Sequence, residues 1–321
     1  MRRNYLVSIV AAIVLSPIPA WADGNVRLFS FPGSDRTGLN GVNDHNTAVG
    51  NAIVFPDAYK FKWHVGTGEL TLIDRPPDFE YFGFEGINNH GVIVGGVGDS
   101  ETNMSMAFIR QPDGSYSYFA HPDAHQFHTW AFAINEAGLV TGSYQFDPQG
   151  SGGSTAGFIY KSNTGRFTSF LQSPSTTPFG INRFGTVVGQ VFIAQEEDVC
   201  GGGPVSAGLI RYGFVRHPDG FITLFQVNNQ ATYAGDIRDD GLIVGAVFDP
   251  IVNNDRIFIG RVRKEPCVFL TRARSKLIGK AGFEYVPRGI ADNGRIVGIA
   301  IQRVGVDESV IYGFVTRVPV N

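Results

Sequence analysis

Charge, sulfur and long apolar runs are all scarce in this chain. Only 17% of its 321 residues are charged and the formal net charge is -3. No basic surface is available for a phosphate backbone, which excludes a nucleic-acid binder. The sequence has no G-x-S-x-G elbow, no G-x-x-x-x-G-K-[ST] loop, no H-E-x-x-H and no C-x-x-C, so the common hydrolase, nucleotide, metalloprotease and redox templates fail. Three methionines against dense Gly, Phe, Val and Ile argue for strands over helices. What remains is 43% hydrophobic, with 41 glycines and 26 phenylalanines, too apolar and aromatic for a disordered chain.

The one sustained apolar run is Leu6 to Leu15, preceded by Met1-Arg2-Arg3 and followed by Ala20-Trp21-Ala22. That order reads as a secretory signal, residues 1-22, cleaved after Ala22. As a helix the run would reach about 15 Å against a hydrocarbon core of about 30 Å. No membrane span is expected in the mature protein, which is placed in the periplasm, at the cell surface or outside. Residues 23-321 read as a single domain.

Self-similarity organises that domain. Gly41-Val42-Asn43-Asp44, Gly86-Ile87-Asn88-Asn89, Ala133-Ile134-Asn135-Glu136 and Gly180-Ile181-Asn182-Arg183 are followed by the looser copies Asp236-Ile237-Arg238-Asp239 and Gly289-Ile290-Ala291-Asp292. Each leads into an apolar run closing on Gly50, Gly95, Gly142, Gly189, Gly245 or Gly298, at spacings of 45, 47, 47, 56 and 53. Asn or Asp followed by Gly turns one strand into the next. A second hairpin follows, as at Pro112-Asp113-Gly114 between Ala107 and Phe119; in the fifth repeat the turn falls at Lys264-Glu265-Pro266. Four strands per repeat predict an all-β fold, a six-bladed β-propeller with four-stranded blades. A parallel β-helix is the structural rival. The sixth repeat ends after Ile311 to Val315, while Val26 to Phe31 precedes the first repeat without a blade of its own, so the N-terminal strand is expected to close the ring.

The units G-I-N-x-x-G-x-I-V-G, followed by strands such as Ala107-Phe108-Ile109 and Gly157-Phe158-Ile159-Tyr160, resemble the bacterial extracellular repeat family named for its His-Ala-Phe triplet. The resemblance covers roughly residues 25-321. Met106, Ala156, Tyr212 and Tyr312 stand where the triplet has His. It implies an exported repeat protein and no particular chemistry.

Function is expected where the repeats differ. Asp236 and Arg238 place an opposite-charge pair near the axis. His125 and His128 share a loop with His121 and Trp130, a spacing that matches no closed metal site; no metal or cofactor is assigned. Tyr81, Phe82, Trp130, Tyr233 and Tyr285 precede the innermost strands on loops sharing one face, where aromatic rings beside carboxylates could hold a glycan or peptide. The insertion Glu196 to Pro204 extends the same face. The expected function is a secreted binding or scaffolding module for an extracellular glycan, peptide or protein. Two alternatives stand beside it: a polysaccharide lyase or hydrolase using carboxylates such as Glu80, Glu85, Asp236 or Glu284, and a surface-assembly protein without a discrete ligand. Cys200 in a second-to-third strand loop and Cys267 after a third-to-fourth turn are expected at opposite ends of their blades, hence as free thiols or paired with another chain.

Overall fold

The computed structural model of the chain describes residues 26-76, 78-146, 154-173, 175-194, 200, 208-251, 253-270, 275-278, 282-305 and 308-318. The signal-like segment and the insertion apart from Cys200 lie outside them. In chain order the strands are β1 (Arg27–Phe29), β2 (Arg36–Val42), β3 (Thr47–Val54), β4 (Asp57–His64), β5 (Leu70–Ile73), β6 (Tyr81–Ile87), β7 (Ile93–Asp99), β8 (Met104–Arg110) and β9 (Tyr116–Phe119). The third repeat supplies β10 (Thr129–Ile134), β11 (Leu139–Gln145), β12 (Thr155–Lys161) and β13 (Arg166–Ser173), and the fourth β14 (Ser175–Ile181), β15 (Val187–Ala194), β16 (Leu209–Arg216) and β17 (Ile222–Val227). The rest are β18 (Thr232–Ile237), β19 (Ile243–Asp249), β20 (Asn254–Gly260), β21 (Cys267–Leu270), β22 (Ser275–Ile278), β23 (Phe283–Ile290), β24 (Arg295–Arg303) and β25 (Ser309–Arg317). The fold is all-β and propeller-like. Successive strands pair antiparallel within β6 to β9, β10 to β13 and β14 to β17, which rules out a parallel β-helix. One larger sheet runs β23-β24-β25-β2-β3-β4-β5, with β1 antiparallel to β25 through Arg27 opposite Val315 and Phe29 opposite Gly313. Between β25 and β2 the ladder among the described residues is a single parallel pair, Arg36 with Ile311, beside which the Ile311 amide donates to the Asp35 carbonyl. No helix among the described residues is long and apolar enough to cross a membrane.

The repeated glycine and phenylalanine are two halves of one packing device. Gly50, Gly95, Gly142, Gly189, Gly245 and Gly298 lie directly across from Phe61, Phe108, Phe158, Phe214, Phe258 and Phe314 of the third strands. A β-carbon on any of these glycines would collide both with a carbonyl of the first strand and with its own phenylalanine ring. Each ring therefore lies over the bare backbone of its cross-strand glycine, and all six are fully buried. Burying such a ring contributes about 2 to 3 kcal/mol. The core clusters then join neighbouring sheets: Val49 and Ile73 of the first repeat pack with Phe84, Ile93 and Phe108 of the second. Ala291, Val297 and Val315 of the last pack with Leu39 and Phe61 of the first.

The fifth repeat departs from the expected strand order. Residues 267-270 do not return along β20 as its outermost strand. They form β21, which adds in parallel to β17 with Leu224 opposite Cys267, and β22 takes the place beside β20. This crossing carries Cys267 to the outer edge of the fourth repeat's sheet, where Cys200 packs among Phe170, Ile210 and Leu224. The two form a disulfide, with Cα atoms 5.7 Å apart and a separation of 67 positions in sequence. The expectation of free thiols is thus corrected: it rested on a fourth strand that leaves its own sheet.

Candidate functional site

Every first strand carries a β-bulge at the same place. The register shifts between Leu39 and Gly41, Phe84 and Gly86, Ala131 and Ala133, Pro178 and Gly180, Ala234 and Asp236, and Pro287 and Gly289. A bulge leaves one residue out of the ladder and re-aims it. The residues so displaced are Asn40, Glu85, Phe132, Phe179, Gly235 and Arg288, and all but Gly235 line a central cavity. The strand around them repeats; these positions do not.

The cavity's chemistry follows from its lining. The Phe132 and Phe179 rings meet edge to face, centroids 5.6 Å apart. The Arg288 guanidinium lies 5.2 Å over the Phe179 ring, a cation-π contact. Its Nε is shielded from solvent and has no hydrogen-bond partner among the described residues. Burial pushes the Glu85 carboxyl above its ordinary value, opposed by the Arg288 charge, a hydrogen bond from the Trp130 indole and the Lys60 charge. Burial also lowers Lys60, against the pull of Glu85. Asp236 stands where four other repeats have glycine and one has alanine. Burial raises its carboxyl to about 7, although it accepts from the Ile237 and Ile290 amides at 2.8 Å each.

Below the ring, the turn asparagines tie the repeats together. Each of Asn43, Asn88, Asn135 and Asn182 accepts on Oδ1 from the amide four residues on, as Thr47 donates to Asn43 at 3.0 Å. Each also donates from Nδ2 to a backbone carbonyl of the following repeat: Asn43 to Asn88 at 3.0 Å, Asn88 to Asn135 at 3.2 Å, Asn135 to Asn182 at 2.9 Å and Asn182 to Arg238 at 3.2 Å. The next residue adds a second tier, in which the amides of Asp44, Asn89, Arg183 and Asp239 donate to Asn89, Glu136, Asp239 and Asp292. The Asn293 amide donates to Asp44 at 3.2 Å. The carboxylates of this rim therefore serve as inter-repeat acceptors.

The residues singled out from sequence are only partly drawn together. Trp130 donates to Glu85, and its ring covers Gly83 and Gly96 of the preceding sheet, which have no side chains to block it. Asp236 lines the cavity, but Arg238 is not its partner: Arg238 pairs with Asp240 at 2.9 Å. The expected charge pair is replaced because Asp236 accepts from the adjacent Ile237 amide and, across the repeat boundary, from the Ile290 amide. Tyr233 and Tyr285 are 5% and 1% exposed, so their expected place on a ligand-facing surface is corrected to the core. Tyr233 meets the Phe179 ring at 5.9 Å, and Tyr285 packs edge-on against Phe314 at 5.5 Å. Tyr81 is 41% exposed and lies across from Gly98, while Phe82 packs on Phe84 beneath the Lys60 ammonium. His125 sits in a short 3-10 turn, and His128 Nδ1 lies 3.0 Å from Ser105 Oγ. Burial and the His125 charge hold His128 below the ordinary imidazole value. Among the described residues no three His, Cys, Asp or Glu side chains converge as metal ligands. Sequence reasoning missed Asn40, Phe132, Phe179 and Arg288. Their signal was position: each immediately precedes the first residue of the repeated motif.

No protein-family model and no curated protein matches the chain. Solved structures do resemble it in fold. A protein of unknown function from Dyadobacter fermentans superposes with a TM-score of 0.55 at 11% identity, covering 94% of this chain and 100% of that one. A luciferin-regenerating enzyme superposes with a TM-score of 0.52 at 10% identity, covering 91% and 95%. Such identities carry the fold alone.

Proposed function

We propose that the chain is an exported six-bladed β-propeller that works as a binding module for an extracellular glycan, peptide or protein. The blade count follows if the large sheet is divided at the single Arg36 and Ile311 ladder pair, giving a first blade β2 to β5 and a last blade β23 to β25 completed by β1. Packing of Ala291, Val297 and Val315 on Leu39 and Phe61 supports a closed ring, as does the Asn293 to Asp44 hydrogen bond. Export and membership of the His-Ala-Phe repeat family rest on residues 1-22 and on the repeat pattern.

The observation that carries the binding role is the ring of bulge residues. Within a scaffold whose neighbouring positions repeat, five side chains of four kinds converge on one cavity, the arrangement of a site grafted on a fold. The test is mass spectrometry of small molecules released from the mature protein purified from the extracellular fraction of its native host. A stoichiometric glycan or peptide is the expected result. An empty protein that also fails to retain any fraction of that medium would defeat the reading.

Assembly without a ligand draws on one observation. Phe55 and Ile251, both in connections between second and third strands, are 92% and 80% exposed, and that end of the blades is where such a contact would form.

A further inference from the structure

We infer that the bulge ring receives the end residue of a neutral saccharide, an inference that rests on the binding role proposed above and names its ligand class. The ring presents both kinds of hydrogen-bonding group in one cavity. Glu85, when ionised, only accepts; Arg288 only donates, and its Nε has no partner among the described residues. Asn40 donates from Nδ2 to the Phe84 carbonyl at 2.7 Å, which holds its amide at the wall. Between these polar groups stand the Phe132 and Phe179 rings.

A bare anion drawn to Arg288 would share the cavity with Glu85, Asp236 and the rim carboxylates Asp44, Glu136, Asp239 and Asp292. A bare cation would meet Arg288. Hydroxyl groups donate and accept, so they satisfy Glu85 and Arg288 at once, and a pyranose ring offers C–H faces to aromatic rings.

The test is ligand-observed saturation-transfer NMR on the mature chain. The probes are the methyl glycosides of glucose, galactose and mannose, methyl glucuronide, methyl glucosaminide and triglycine. At least one neutral glycoside should bind, and Arg288→Met and Phe179→Ala should each weaken it about tenfold or more. Asn163→Ala, on a distant turn, should leave it unchanged. Arg288→Lys, with thermal melting of every variant, separates lost contact from lost fold. Four results overturn the inference: only the charged sugars bind, only triglycine binds, neutral binding survives both ring variants, or no probe binds. The first three leave a binding module with another ligand or site, and the fourth leaves the host-ligand experiment to judge that role.

Discussion

Repeats one to four and repeats five and six solve the same problem, holding one repeat to the next, with different chemistry. In the first group a buried neutral asparagine bonds its own turn and the next repeat's carbonyl. In the second, Arg238 and Ala291 occupy that position, and the work passes to Asp236, to the Asp239 and Asp292 pair, and to Asn293 and Arg295 bonding Asn46. The lesson concerns pH. An amide ladder does not titrate, whereas a buried carboxylate clamp couples one side of the molecule to the proton concentration.

The largest expected effect removes the covalent link between the two regions, which joins the fourth repeat to the fifth. Replacing Cys200 and Cys267 by serine opens a loop of 67 residues and should cost about 4 kcal/mol, near the chain-entropy limit; calorimetry that finds the melting temperature unmoved would show β21 to be held by its pairing alone. Next comes the clamp. Burial raises Asp236 to about 7 in the folded protein against an ordinary value of 3.8, so the folded state keeps a proton that the unfolded chain releases between those values. Stability from this group is therefore present at low pH and lost as pH rises toward 7. Denaturant titrations should find about 3 kcal/mol more stability at pH 4.5 than at pH 7.5 from this group, with the difference lost in Asp236→Asn.

Breaking the ladder gives the third comparison. Asn135→Ala removes its bond to Asn182 and leaves the Ala137 and Leu139 amides without their acceptor, at a cost of about 2 to 3 kcal/mol. Asn293→Ala, at an exposed link of the second region, should cost under about 1 kcal/mol by the same melt. Equal costs would erase the distinction between the two regions. The smallest effect restores the ladder: Arg238→Asn should stabilise by about 0.5 kcal/mol, since Asp240 keeps its ion pair with Arg261. A loss of stability would mean the fifth turn cannot adopt the asparagine geometry.

Much of this scaffold was legible because it is local. Asn-x-x-Gly turns fix hairpins, and the apolar runs leading to Gly50 through Gly298 became second strands. What sequence could not carry was the choice between equivalent partners. Residues 267-270 and 275-278 are both short strands, and nothing in Cys267-Val-Phe-Leu distinguishes the edge of β20 from that of β17. Aromatic residues before the first strands were read as exposed because loop aromatics at a blade end can face a ligand. Glycines at 83 and 96 left room for Trp130 to lie flat on the preceding sheet, and Tyr285 reached Phe314 instead. The bulge was hidden for a different reason. A single displaced residue leaves the motif spacing intact, so Phe132 and Phe179 read as ordinary strand residues.

The bulge also separates two evolutionary currencies. A residue outside the ladder makes no cross-strand pair, so its identity can change while the ladder, the glycine contacts and the turn-asparagine links around it stay fixed. Asn40 and Glu85 are tied to the scaffold by the Phe84 carbonyl and the Trp130 indole, so Phe132, Phe179 and Arg288 are the letters most freely rewritten, and a library randomised at those three positions would sample new specificities with the least disturbance of the scaffold.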